Sequence, residues 1–425
     1  MNRSKLLTRT VLFAGTVLAI ALTQTSTGNL RRTQAKTPQS SRPFRMLVLG
    51  DSVMWGQGLA ENNKFSHLVA QWICAERNGG VCPAPADVDL VVEAHSGAVV
   101  IVPQKNGEID KNENEKNEEC LREPMPLRCQ GEVPYAYPTI VSQVDLAVRQ
   151  YSKRAIPAET IDLILVDGGI NDYGAPKILL PFLGGNVADK AEEHCHEPMK
   201  KLLTSAHAAF PNATIVVAGY FPLVSKDTHL IATIFKTIKD VFPKQEVNSK
   251  DKQAIMESDP EEMKKASAKP KKASSIFETL PERSLKWRDA SNKWLNKAVQ
   301  EFNDAQTASG GKAAAIFAGV TFADENAYAA SHSFLWQLGA KDATPFECPD
   351  FQGAIGALLQ NLVVNDQQQA IRPCMCIRAG RGDDGHGISC MRAGAFHPNV
   401  LGAQAYFEAI KKQLDSLRAN GSFKL

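Results

Sequence analysis

Five short runs rich in Val, Ile, Leu or Ala recur along the chain, separated by amphipathic stretches. They are Arg45–Leu49, Val88–Glu93, Ile161–Val166, Thr214–Gly219 and Ala314–Val320. Apolar runs of this length predict strands buried on both faces, as the strands of parallel sheets are. Between them, Phe65–Ala75 carries Phe65, Leu68, Val69, Trp72 and Ile73 at helical spacing. Ile140–Tyr151, Met199–Phe210 and Ser284–Phe302 follow the same rule, and Ala403–Leu417 predicts a last helix. Strands alternating with helices predict an α/β domain whose parallel sheet is covered on both sides.

Three stretches break this rhythm. Residues 103–134 are dense in Asn, Glu and Lys and hold one cysteine pair. Residues 241–281 are rich in Lys, Glu, Ser and Pro, a composition that reads as a solvated excursion rather than an anionic-surface binder. Residues 323–373 carry Tyr328, Phe334, Trp336, Phe346 and Phe351, aromatics that either line a cleft or pack.

The ends and the charge change the picture in one respect. Arg3, Lys5 and Arg9 precede the uncharged, mostly apolar run Val11–Leu22, which is short for a bilayer span. Residues 1–28 therefore read as a signal peptide, or as an anchor if uncleaved, and 29–43 as a linker. One folded domain is expected over 44–425. Of 425 residues, 44% are hydrophobic and 22% charged, enough for a large core, and the net charge of +2 gives no reason to expect a nucleic-acid partner. Nine cysteines fit an oxidising compartment, with Cys74 and Cys82, and Cys120 and Cys129, near enough to close local loops. The odd count leaves one thiol over. His194-Cys195-His196 and Cys374-Met375-Cys376 are donor types without zinc spacing, so no metal is expected. Asn212 and Asn420 head glycosylation patterns.

The candidate chemistry sits where the predicted strands end. Gly50-Asp51-Ser52 follows the first strand, placing Ser52 at the carboxyl edge of the sheet, where open α/β sheets bind ligands. After the second strand comes His95-Ser96-Gly97, whose glycine lets a main-chain N–H approach a developing oxyanion. After the third comes Gly169-Ile170-Asn171-Asp172, where the Asn171 amide is a second donor. Near the end, Phe396-His397-Pro398 offers His397 as a base for Ser52. Asp51 and Asp172 read as turn braces, His95 as a backbone-bonded loop histidine, and Trp55 as pocket edge or core.

In this order the blocks resemble those of the SGNH/GDSL hydrolases: Gly-Asp-Ser, a glycine after the second strand, Gly-x-Asn-Asp, and a C-terminal His-Pro. The resemblance runs from residue 45 to about 417. It implies a three-layer α/β/α flavodoxin-like sandwich with strand order 2-1-3-4-5. It also implies a Ser52–His397 site with oxyanion donors from Ser52 N–H, Gly97 N–H and the Asn171 amide, and no cofactor.

One departure stands out. Relatives carry Asp three residues before the histidine, whereas this chain has Gly394. The imidazole still needs a partner that fixes its tautomer. The Gly394 carbonyl is the first candidate and Asp383 or Asp384 the alternative. The expected function is ester hydrolysis on a small-molecule, lipid or acylated-carbohydrate substrate, in a secreted, periplasmic or cell-envelope setting. A membrane tether is expected if the N-terminal segment stays. Acyl transfer to a sugar or wall polymer, a non-catalytic acyl or glycan binder, and a metal-dependent hydrolase using His194 and His196 are the other classes.

Overall fold

The computed structural model describes residues 42–83, 87–179, 185–228, 279–338, 364–380 and 387–425. Residues 1–28, expected to be a targeting segment, residues 29–41 of the expected linker, most of 241–281, Phe346 and Phe351, and Asp383 and Asp384 lie outside them. Among the described residues no helix is long and apolar enough to cross a membrane.

Five parallel strands form the sheet: β1 (Phe44–Leu49), β2 (Val88–Val92), β3 (Leu163–Val166), β4 (Thr214–Ala218) and β5 (Ala315–Ala318). Their order is β2-β1-β3-β4-β5, as the resemblance implied. Leu47 of β1 pairs with Val91 on one side and Ile164 on the other, and Val216 of β4 with Leu165 and Ile316. All four residues of β3 are buried, as an unbroken apolar run requires.

Helices cover the sheet in two groups. α1 (Phe65–Arg77) packs on α5 (Val400–Ala419), while α2 (Ile140–Lys153), α3 (Glu197–Ala209) and α4 (Leu280–Ala308) pack with one another. The result is a three-layer α/β/α sandwich. α1 buries Phe65, Val69, Trp72 and Ile73 as its spacing predicts, with Leu68 half-buried. α4 begins four residues before the expected Ser284, because Thr279 and Glu282 form a reciprocal capping box around Pro281 in the first turn.

The 103–134 insertion is ordered. It forms a two-stranded ribbon, Gln104–Lys105 with Glu108–Ile109, and a helix, Lys111–Cys120, whose first turn is capped by Asp110. The disulfide Cys120–Cys129 closes it, and Cys74–Cys82 and Cys376–Cys390 are also formed. Among the described residues the free thiol is the buried Cys195.

Candidate active site

Ser52 opens a four-residue helix, Ser52–Trp55, directly after β1, with Asp51 as its N-cap: Asp51 Oδ1 accepts Val53 N–H at 2.8 Å. Gly50 makes the sharp turn possible. Its φ is +150°, and a Cβ there would run into Asp167 Oδ1 and lie 2.6 Å from Met54 Cβ. Gln143 of α2 grips the same residue at both ends, accepting Gly50 N–H at 2.7 Å and donating to Gly50 O at 3.0 Å.

The two oxyanion candidates lie beyond β2 and β3 on the same sheet edge and are clamped together. Asn171 Nδ2 donates to Ala98 O at 3.1 Å, and both Asp172 oxygens accept Val100 N–H at 3.1 Å. Asp172 thus braces the chain after Gly97 as well as its own turn. Gly97 has φ +85°, and a Cβ would fall 2.7 Å from Tyr135 N, just past the insertion. Among the described residues neither the Ser52 nor the Gly97 N–H has a protein acceptor. Such unpaired donors suit an oxyanion.

His397 Nε2 lies 2.7 Å from Ser52 Oγ, across a sequence separation of 345 residues. Its Nδ1 lies 3.1 Å from the Ala395 carbonyl, whereas Gly394 O accepts the His397 main-chain N–H at 3.2 Å. The ring's hydrogen-bond partner is thus the Ala395 carbonyl, with the expected Gly394 carbonyl a smaller contributor beside it. The tight turn gives the Gly394 oxygen a main-chain N–H and brings the next carbonyl, Ala395, under the ring. A carbonyl can only accept, so Nδ1 carries the proton and Nε2 is left to accept from Ser52 O–H. Burial pushes the His397 pKa down to about 4, against the carbonyl of Ala395, and the Arg372 charge adds to the depression. The turn is pinned by 334–336: Trp336 N–H donates to His397 O at 2.8 Å and Asn399 N–H to Phe334 O at 2.8 Å. Tyr328 stacks on Phe396 at 4.0 Å between ring centroids, so this aromatic of the 323–373 segment packs beneath the histidine.

These blocks follow β1, β2 and β3 and precede α5, in strand order 2-1-3-4-5, with serine and histidine in hydrogen-bond contact. The chain resembles the SGNH/GDSL hydrolases. Solved structures of SGNH type are similar to it at low identity. An extracellular lipase from Streptomyces rimosus is 11% identical, with TM-score 0.39, over 87% of this chain and 99% of that one. A phospholipase A1 from Streptomyces albidoflavus is 12% identical, with TM-score 0.35, over 87% and 99%. A GDSL-like lipase from Parabacteroides merdae is 12% identical, with TM-score 0.30, over 87% and 95%. No protein-family model and no curated protein matches the chain. The site is accordingly read from its own geometry.

Sequence reading missed Asp167 and Tyr220. Asp167 Oδ1 accepts Asp51 N–H at 2.8 Å, and Tyr220 O–H donates to Asp51 Oδ2 at 2.8 Å while its oxygen accepts Ile170 N–H at 3.2 Å. Asp51 and Asp167 are both fully buried, and Asp167 Oδ2 finds no donor. Burial raises both carboxyls, and the neighbouring Asp51 charge raises Asp167 well above the usual range. Asp167 therefore keeps its proton to higher pH than its unfolded form, which releases it near about pH 3.9. The folded state binds more protons, so this contribution to stability is present below that pH and lost as pH rises toward the native pKa. Asp167→Asn keeps the neutral shape and is expected to retain activity. Its Tm relative to wild type should rise as pH climbs above about 4; a constant difference in thermal melts from there to neutral pH rules out the bound proton.

The other candidates take structural roles. His95 is buried, with Nδ1 3.0 Å from Ser96 O and Nε2 2.9 Å from Pro138 O, and burial lowers its pKa to about 4. Trp55 donates to Glu132 Oε2 at 2.8 Å beneath Lys64, whose Nζ sits 3.3 Å from a ring centroid. His196 lies 3.1 Å from Glu301, but Lys200 Nζ already sits 2.9 Å from both Glu301 and Glu197. His194 stacks on Tyr173 instead, and Cys376 is consumed by its disulfide, so these donors do not converge.

Proposed function

We propose that this chain is an exported hydrolase of carboxylic esters, with Ser52 as nucleophile and His397 as general base. The carrying observation is the His397 ring held between Ser52 Oγ at 2.7 Å and the Ala395 carbonyl at 3.1 Å. Ser52 Oγ attacks the ester carbonyl carbon as its proton passes to His397 Nε2. The oxyanion is received by Ser52 N–H, Gly97 N–H and the second N–H of Asn171, the first being held by Ala98 O. The C–O bond to the alcohol breaks as Nε2 returns the proton to it. Water then attacks the acyl-serine, giving its proton to the same nitrogen, and the acid leaves as Ser52 regains its hydrogen. These steps use no metal or cofactor. The disulfides support export, and lipid or acylated-carbohydrate esters are the proposed substrate class.

A fluorophosphonate probe tests the reading on the full chain, since attack by Ser52 expels fluoride and leaves a stable phosphonyl-serine. Labelling should require both Ser52 and His397. Because burial holds the His397 pKa at about 4, the labelling rate should stay flat from neutral pH down toward that value. A fall centred on the ordinary histidine pKa of about 6.5 would refute the buried neutral base. Folded protein that takes no label would leave a non-catalytic acyl binder, and acylation of an added alcohol in place of water would mark a transferase.

A further inference from the structure

A buried charge cluster lies beside this site and none of the steps above uses it. Arg372 is fully buried and Glu132 and Asp366 are each 3% exposed. Arg372 Nη2 lies 2.7 Å from Glu132 Oε1 and 2.6 Å from Asp366 Oδ2, and its Nε lies 3.0 Å from the same Glu132 oxygen. Desolvating three charges is costly, and a buried ion pair is weak grounds for stability by itself. What this cluster touches is more telling.

Glu132 faces the chain that leaves Ser52. Its Oε2 accepts Trp55 Nε1–H at 2.8 Å, its Oε1 accepts Gly58 N–H at 3.0 Å, and its carbonyl accepts from Gln57 Nε2 at 3.1 Å. Its neighbours bracket the Gly97 turn: Ser96 N–H donates to Gly131 O at 2.8 Å and Tyr135 N–H to Ser96 O at 2.9 Å. Asp366 is wedged between two glycines. A Cβ on Gly58 would lie 2.9 Å from Asp366 Oδ2, and one on Gly394 would collide with the same oxygen. Gln367 N–H also donates to Gly58 O at 2.9 Å, and Arg372 Nη1 reaches Met391 O at 3.4 Å. Gly394 adjoins Ala395, whose carbonyl faces His397 Nδ1.

We infer that Glu132, Arg372 and Asp366 form a positioning hub that sets the Ser52 turn against the His397 turn, with Asp366 occupying the space a side chain at 394 would take. It rests on the Ser52–His397 reading and assigns the hub no contact with substrate. The carboxylate holds the main chain at 394, the main chain presents the Ala395 carbonyl, and the carbonyl holds the ring.

Asp366→Asn is isosteric and neutral, and Gly394→Ala pushes the main chain off the carboxylate while leaving all three charges. Each is measured three ways in the full chain: fluorophosphonate labelling rate, kcat and KM on p-nitrophenyl acetate, and His397 ring nitrogens by ¹⁵N NMR, assigned by loss in His397→Ala. Both variants should lose about 10²-fold in labelling rate and kcat at nearly constant KM, the cost of misplacing a reacting group by about 1 Å. The wild-type Nδ1–H tautomer should give way to a mixture. Either variant folding with its labelling rate, kcat and tautomer all unchanged overturns the hub, even if its Tm falls. The NMR comparison needs no turnover. Unlabelled wild type therefore counts against the hydrolase reading, whereas an unchanged tautomer counts against the hub.

Discussion

Ser52→Ala is expected to lower ester turnover by on the order of 10⁵–10⁶, with His397→Ala costing a similar factor and the double variant no more than either alone. The two side chains act as one unit: the hydroxyl is a poor nucleophile until the imidazole takes its proton, and the imidazole has nothing to do without the hydroxyl. Neither change should disturb the fold, because Ser52 ends in a single 2.7 Å bond to His397 and the surrounding turn is held by Gly50, Asp51 and Gln143. Initial rates on a chromogenic ester, with circular dichroism as the control for folding, decide it. Additive losses in the double variant would mean that serine and histidine work independently.

Asn171→Ala should cost about 10²–10³ in kcat with little change in KM, the usual penalty for one oxyanion donor. The side chain has two N–H groups and donates one to Ala98 O at 3.1 Å, so truncation also frees the Gly97 turn at one of its two clamps. Asp172 keeps the other clamp through Val100 N–H. The loss should therefore appear in the chemical step and only slightly in Tm. Steady-state kinetics beside a thermal melt separate the two; a variant that is destabilised yet fully active per folded molecule would confine Asn171 to bracing the turn.

Much of this arrangement was legible before any coordinates, and the reason is local. The central runs of β1, β3 and β4 are largely apolar because they are covered on both faces, and the helices between the strands show one-sided spacing because only one face meets the sheet. The turn residues Ser52, Gly97 and Asn171 stand directly after such runs, so their common edge follows from parallel strands. Boundaries were less legible: the start of α4 depended on the Thr279–Glu282 cap, a signal present in the sequence but read as the end of an insertion.

Sequence alone therefore determined the strand and helix order and picked out the serine, the glycine, the asparagine and the histidine, because periodicity and turn chemistry act over a few residues. Only the tertiary structure decided what holds the histidine. Which of the neighbouring carbonyls lies best placed for the ring, Ala395 before Gly394, is a matter of main-chain geometry, and geometry at that scale leaves no mark on composition or spacing. The same holds for Asp167 under Asp51, and for Glu132 meeting Arg372 across 240 residues. Those charges are placed by where distant segments pack, and packing is settled by the whole chain at once.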